Sequence, residues 1–88
     1  MNKKESLQLL AEELRTYEGK SYFGLVQRIG ENLIIERKGL NGASYQIEIL
    51  TTWDSKPGGA IRVIASIDDG GWRALLPLTD SILKVPDE

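Results

Sequence analysis

A change of rhythm near residue 33 constrains this chain more than any other feature. Residues 44–53 read SYQIEILTTW, in which Tyr45, Ile47, Ile49, Thr51 and Trp53 alternate with Ser44, Gln46, Glu48, Leu50 and Thr52. A period of two puts one set on one face of a pleated strand and the other set on the opposite face. Residues 60–68, AIRVIASID, repeat the pattern with Ile61, Val63, Ala65 and Ile67 in phase. LIIERK, residues 33–38, supplies a preceding strand, and Asn41-Gly42 between it and Ser44 is a hairpin turn signal. DSKPGG, residues 54–59, cannot continue a ladder and reads as a loop.

WRALLPL, residues 72–78, reads as a fourth strand with Trp72, Ala74, Leu76 and Leu78 on one face. Pro77 donates no ladder bond, so this strand is expected at an edge or to fray there. The remaining TDSILKVPDE reads as a helical turn capped by Thr79 or Asp80 and stopped at Pro86.

The first thirty residues follow the other period. Asn2 and Glu5 have the spacing of a capping box. Leu7, Leu10, Ala11, Leu14 and Tyr17 then form one helical stripe, with Leu9 off it and Gly19 as the residue that ends the helix. Ser21 is placed to cap a short second helix whose Tyr22, Leu25, Val26 and Ile29 share a face, ended by Gly30. Gly24 inside it costs about 1 kcal/mol relative to Ala, so a strand over residues 22–27 is the alternative. The expected fold is α+β: an N-terminal helix and a short second helix packed on one face of a four-stranded antiparallel β-meander, residues 1–88 forming one domain.

Composition removes chemistry. The chain has no histidine and no cysteine. The usual zinc ligands, Ser-His-Asp and Cys-His nucleophiles and disulfide staples are therefore excluded, and no cofactor is expected. Eleven basic against 13 acidic residues gives no general attraction to nucleic acid or anionic lipid. Glu12 and Glu13 break the apolar run after Lys3 and Lys4, which argues against a signal peptide. No stretch approaches the ~20 apolar residues of a membrane span. A cytoplasmic location without membrane contact is the expectation.

SIDDGGWRALLPLTDS, residues 66–81, is the segment that most resembles an active-site loop. If Ile67 faces Trp72 across a hairpin, Asp68-Asp69-Gly70-Gly71 is a four-residue connection, with glycine at positive φ and aspartate bonding nearby N–H groups. The same register sets Ile64 against Leu75 and Ser66 against Arg73. A turn accounts for every residue of DDGG, whereas two adjacent carboxylates alone make a poor chelate.

That register also predicts the sheet's outer face. Ile34, Leu50, Ile64 and Leu75 form an aliphatic band there, among Glu36, Lys38, Gln46, Glu48, Arg62 and Arg73. Contiguous apolar surface on a small domain marks a contact site, with Ile34, Leu50, Ile64, Leu75, Arg62 and Arg73 as the interface candidates. Burying the four aliphatics twice across a two-fold axis contributes about 12 kcal/mol gross, against an association entropy of about 4–15 kcal/mol. The competing readings are scattered, unremarkable exposed aliphatics, or a tail in which Ile82, Leu83 and Val85 fold back over the band. Trp53 and Trp72 are expected in the core.

The functional expectation is a small non-enzymatic module that binds a protein partner or forms a homodimer through this face. Two alternatives compete with it. A carboxylate enzyme, or a subunit of one, would draw on Glu48, Asp54, Asp68 and Asp69 with Arg73. A weak single-stranded nucleic-acid binder would use Lys38, Arg62 and Arg73, but Glu36 and Glu48 share that face and the aromatics point away from it.

Overall fold

The computed structural model describes residues 1–70 and 77–86. Helix α1 (Lys3–Glu18) and helix α2 (Tyr22–Val26) precede strands β1 (Asn32–Lys38), β2 (Ser44–Trp53), β3 (Ile61–Asp68) and β4 (Leu78–Lys84). The strands form one antiparallel sheet in the order β1-β2-β3-β4. Helix α1 lies over β3 and β4, and α2 over β3. The fold is thus the α+β meander that the periodicity predicts.

Asn2 caps α1, its Oδ1 accepting the Glu5 N–H at 3.0 Å. Glu5 does not reach back to complete the box; its carboxylate goes elsewhere, as described below. The buried face of α1 is Ser6, Leu9, Leu10, Leu14 and Tyr17, whereas Leu7 and Ala11 are exposed. The expected stripe is therefore rotated about its shared axis of Leu10, Leu14 and Tyr17. Ser6 joins the buried face, its hydroxyl satisfied by donating to the Asn2 carbonyl at 2.7 Å. Gly19 closes the helix at φ −73°, in the right-handed region, so the helix stops without a left-handed residue.

Residues 22–26 are helix rather than strand. Ser21 Oγ accepts the Gly24 N–H at 3.0 Å, and Tyr22 and Leu25 are buried, with Val26 and Ile29 against the same core. The Tyr22 hydroxyl donates to the Gly59 carbonyl at 2.7 Å, fastening α2 to the β2–β3 loop. In the β1–β2 turn, Asn41 and Gly42 both have positive φ (60° and 77°), which is why Asn-Gly is preferred there.

Strand pairing sets Ile47 between Ile35 and Ile67, and Val63 between Thr51 and Ile82. Tyr45, Ile47, Ile49, Ile61, Val63, Ala65 and Ile67 face the helices and are buried, while Trp53 is half-buried against the same core.

The fourth strand departs from expectation. The described fourth strand runs Leu78–Lys84, so the tail expected as a helical turn is strand. Ile67 pairs with Leu78, Ser66 with Thr79 and Ile64 with Ser81, in place of Trp72, Arg73 and Leu75. DDGG is accordingly not a four-residue hairpin loop. Its local chemistry is as expected, since Gly70 has φ 85° and donates its N–H to Asp68 Oδ1 at 2.9 Å. Pro77 is punctuation directly before a strand, a position where a missing N–H costs no ladder bond. Thr79 and Asp80 resemble a helix cap in isolation, but residues 78–84 alternate, and pairing with β3 outweighs local capping propensity. Trp72, Arg73, Ala74, Leu75 and Leu76 lie outside the described residues.

Candidate binding surface

The register places the outward residues of the sheet on a grid. Leu50 and Ile64 are direct cross-strand partners on β2 and β3. Ile34 pairs with Glu48, one step along from Leu50, and Leu83 pairs with Arg62, one step along from Ile64. Diagonal neighbours at this spacing are within side-chain reach. Ile34, Leu50, Ile64 and Leu83 thus form an aliphatic row crossing all four strands. Ile34 is 59% exposed, Leu50 36% and Leu83 46%; Ile64, on a central strand, is half-buried.

Of the six interface candidates, the structure brings Ile34, Leu50, Ile64 and Arg62 together on this face. Leu75 and Arg73 lie outside the described residues. Leu83 occupies the β4 position expected of Leu75. A helical turn over residues 79–88 leaves Leu83 out of the band; the alternation of Leu78, Asp80 and Ile82 against Thr79, Ser81 and Leu83 is the signal in the sequence that includes it. Neither Ile82 nor Leu83 folds back over the row. Ile82 enters the helix-side core and Leu83 extends the row.

Polar groups border the row on both sides. Arg62 Nε donates to Asp54 Oδ1 at 2.7 Å and its Nη1 to Ser81 Oγ at 2.9 Å, which fixes the guanidinium beside Leu83. Ser66 and Thr79 share a hydrogen bond at 3.1 Å. Toward the β1–β2 turn lie Glu36, Glu48 and Asp68, with Lys38 Nζ 3.6 Å from Glu36 and bonded to Ser44 Oγ. A shallow depression of about 380 Å³ opens here, lined by Ile34, Glu36, Ser44, Gln46, Asp69 and Gly70 among others.

Of the four acids expected for a carboxylate site, Glu48 and Asp68 are diagonal neighbours on the outer face of β2 and β3, but Asp54 does not join them. Asp54 lies at one end of the sheet, bound to Arg62, whereas Asp68 and Asp69 lie at the other. Asp69 is 3.4 Å from the N-terminal ammonium. Among the described residues no cluster of three or more Asp, Glu, His or Cys side chains comes together as a metal site, and no helix is long and apolar enough to cross a membrane.

No family model, curated protein or solved structure matches this chain. Its functional reading therefore rests on its own geometry.

The opposite side of the sheet shows how the row's β1 end is held. Glu5 accepts the Leu40 N–H at 2.8 Å and the Tyr45 hydroxyl at 2.7 Å, tying the β1–β2 turn to α1. Arg37 reaches Glu12 at 2.8 Å and Glu13 at 2.5 Å, tying β1 to the same helix. Hydrogen bonding from the Leu40 amide, then from Tyr45, holds the Glu5 carboxyl below its ordinary pKa. The bond to Glu5 in turn holds the Tyr45 phenol above its usual value.

The signs give a pH prediction. A depressed carboxyl contributes stability above its unfolded pKa, and that contribution is lost as pH falls through the folded value. A raised phenol contributes below its unfolded pKa and loses that contribution as pH rises through the folded value. Glu5→Gln should lower Tm at pH 7, and the gap from wild type should narrow steadily as pH falls below the usual carboxylate range. Thermal melts across pH 2–7 check this; a gap independent of pH would contradict it.

Gly39 sits against the same tether. Its φ of −93° suits any residue, so space is what requires glycine. A Cβ there would lie 2.7 Å from the Tyr45 ring and closer still to the Glu5 carboxylate. Gly39→Ala should cost about 1–3 kcal/mol, the usual range for overpacking, in urea denaturation. Gly42→Ala, at a positive-φ position with open space around it, should cost less because only backbone strain opposes it.

Proposed function

We propose that this chain is a small non-enzymatic binding module that recognises a protein partner through the outer face of its sheet. The observation that carries the reading is the aliphatic row Ile34–Leu50–Ile64–Leu83. Helices cover the other face, while this one presents a continuous apolar line on a rigid four-stranded scaffold. Apolar surface rimmed by polar groups is the common anatomy of a protein contact site. Arg62, held by Asp54 and Ser81, adds an ordered guanidinium beside the row, a group enriched where partners bind. Asp54 lies far from Asp68 and Asp69, which favours recognition over carboxylate catalysis.

The test is retention of a partner from host extract on immobilised protein, compared with Leu50→Lys and Ile64→Lys. Both substitutions put a charge into the row without touching the helix-side core. Binding should fall at least ten-fold, with circular dichroism unchanged. Equal retention by wild type and both variants would remove this face from the function.

A further inference from the structure

The two edges of the sheet are built differently. The β4 edge carries the devices that discourage pairing with another chain. Pro77 precedes the strand, α1 lies over it, and Lys84 Nζ bonds the Glu18 carbonyl at 2.9 Å. Asp80, on the helix side opposite Ala65, puts a charge on that edge. The β1 edge has no proline; α1 lies mainly over β3 and β4 and reaches β1 through the ion pairs of Arg37, the one inward-pointing charge on this edge, with Glu12 and Glu13. It exposes an aliphatic on each face, with Leu33 38% accessible on the helix side and Ile34 on the other. Among the described residues no strand pairs with β1 on its open side.

The open groups can be assigned. The Thr51 N–H donates to the Glu31 carbonyl at 3.2 Å and the Gly39 N–H to the Ala43 carbonyl at 2.7 Å. Antiparallel ladders alternate, so odd-numbered residues between these points bond to β2. The N–H and C=O of Asn32, Ile34, Glu36 and Lys38 therefore point to the open edge.

We propose that the chain forms a homodimer by antiparallel pairing of β1 with β1 of a second copy, with Ile34 opposite Ile34 on the two-fold axis. Side-chain complementarity selects this register. It sets Leu33 opposite Ile35, twice, and Asn32 opposite Glu36; Glu31 and Arg37 also come opposite, but they already hold ion pairs with Arg28 and with Glu12 and Glu13. Centring on Ile35 instead would set Leu33 against Arg37 and Ile34 against Glu36. Centring on Glu36 would set two carboxylates face to face, which is destabilising. In the chosen register the open N–H and C=O groups of Asn32, Ile34 and Glu36 all pair, and Leu33 gains an apolar neighbour on the side α1 leaves open. The outer aliphatic rows of the two copies also meet at Ile34, forming one continuous line. This assembly does not depend on the outer face binding another protein.

The chain has no native thiol, so a single cysteine reports register cleanly. In the proposed pairing, Ile34→Cys puts two Cα atoms about 5.5 Å apart, within the range a disulfide spans. Asn32→Cys puts its pair roughly 13 Å apart, beyond reach. Sedimentation should give a dimer mass for the wild type at high micromolar concentration. Oxidation should cross-link Ile34→Cys at least ten-fold faster than Asn32→Cys. Ile34→Pro removes an edge-facing N–H without cutting the β1–β2 ladder, and should give a folded monomer by circular dichroism. If that variant does not fold, Asn32→Pro, which removes another edge-facing N–H at the first residue of the strand, should weaken the dimer at least ten-fold. Ile64→Thr should leave the dimer intact whatever it does to partner binding. A monomer at millimolar wild-type concentration, equal cross-linking of the two cysteine variants, or loss of the dimer in Ile64→Thr alone would overturn the proposal.

Discussion

Ile47→Ala should cost about 2–5 kcal/mol, the range for truncating a buried aliphatic to alanine. Ile47 is fully buried at the centre of β2, paired with Ile35 on one side and Ile67 on the other. Its removal leaves a gap between two strands that are themselves fixed by hydrogen bonds, so collapse around it is limited. Total stability for a chain of this size is roughly 4–13 kcal/mol. One substitution thus removes a large share of it. At about 4–8 °C per kcal/mol, Tm should fall by roughly 8–40 °C. Glu48→Ala, one residue along on the outer face, should stay within about 0.5 kcal/mol. Calorimetry of the two variants checks both numbers. A small loss for Ile47→Ala would mean that the two-residue alternation of β2 does not define the buried face.

That alternation is also why so much of the fold was legible in the sequence. β2 and β3 carry long, strict runs, and a one-residue slip would turn Ile47, Ile49, Ile61 and Val63 outward together. The Asn41-Gly42 turn then fixes β1 against β2. The shared outer face of Ile34, Leu50, Ile64 and Arg62 follows from these three strands. The fourth strand was not legible for a physical reason. Its helix-side positions are Leu78, Asp80, Ile82 and Lys84, only two of them apolar. An edge strand buries less, so its pattern is diluted, and WRALLPL offered a stronger apolar signal nearby. Helix α1 shows the same limit in another form. Leu7 and Leu9 are equally hydrophobic, yet Leu9 is buried together with Ser6 while Leu7 stays exposed, a choice made by tertiary packing and not by the local pattern. Glu5 illustrates a third limit: its partners Leu40 and Tyr45 lie 35 and 40 residues away, beyond any local rule.

The strongest test of β4 is a pair of neighbouring substitutions with opposite outcomes. Ile82 pairs with fully buried Val63 and packs against the core, whereas Leu83 pairs with Arg62 on the outer face. Ile82→Asp should cost roughly 3–5 kcal/mol, because it sets an uncompensated carboxylate against the core. Urea unfolding at pH 7 should show that loss, with part of it recovered in acid as the carboxylate takes up a proton. Leu83→Asp should change stability by less than about 1 kcal/mol, because water still reaches the side chain and the charge lands beside Arg62. It should nevertheless abolish partner binding by interrupting the aliphatic row. A strand over residues 72–78 followed by a helical turn would not set Ile82 and Leu83 on opposite faces of the sheet, and the two aspartates would then have similar effects. Parity is the physical quantity being measured. If Leu83→Asp unfolds the chain and Ile82→Asp does not, β4 is shifted by one residue and the row ends at Ile64.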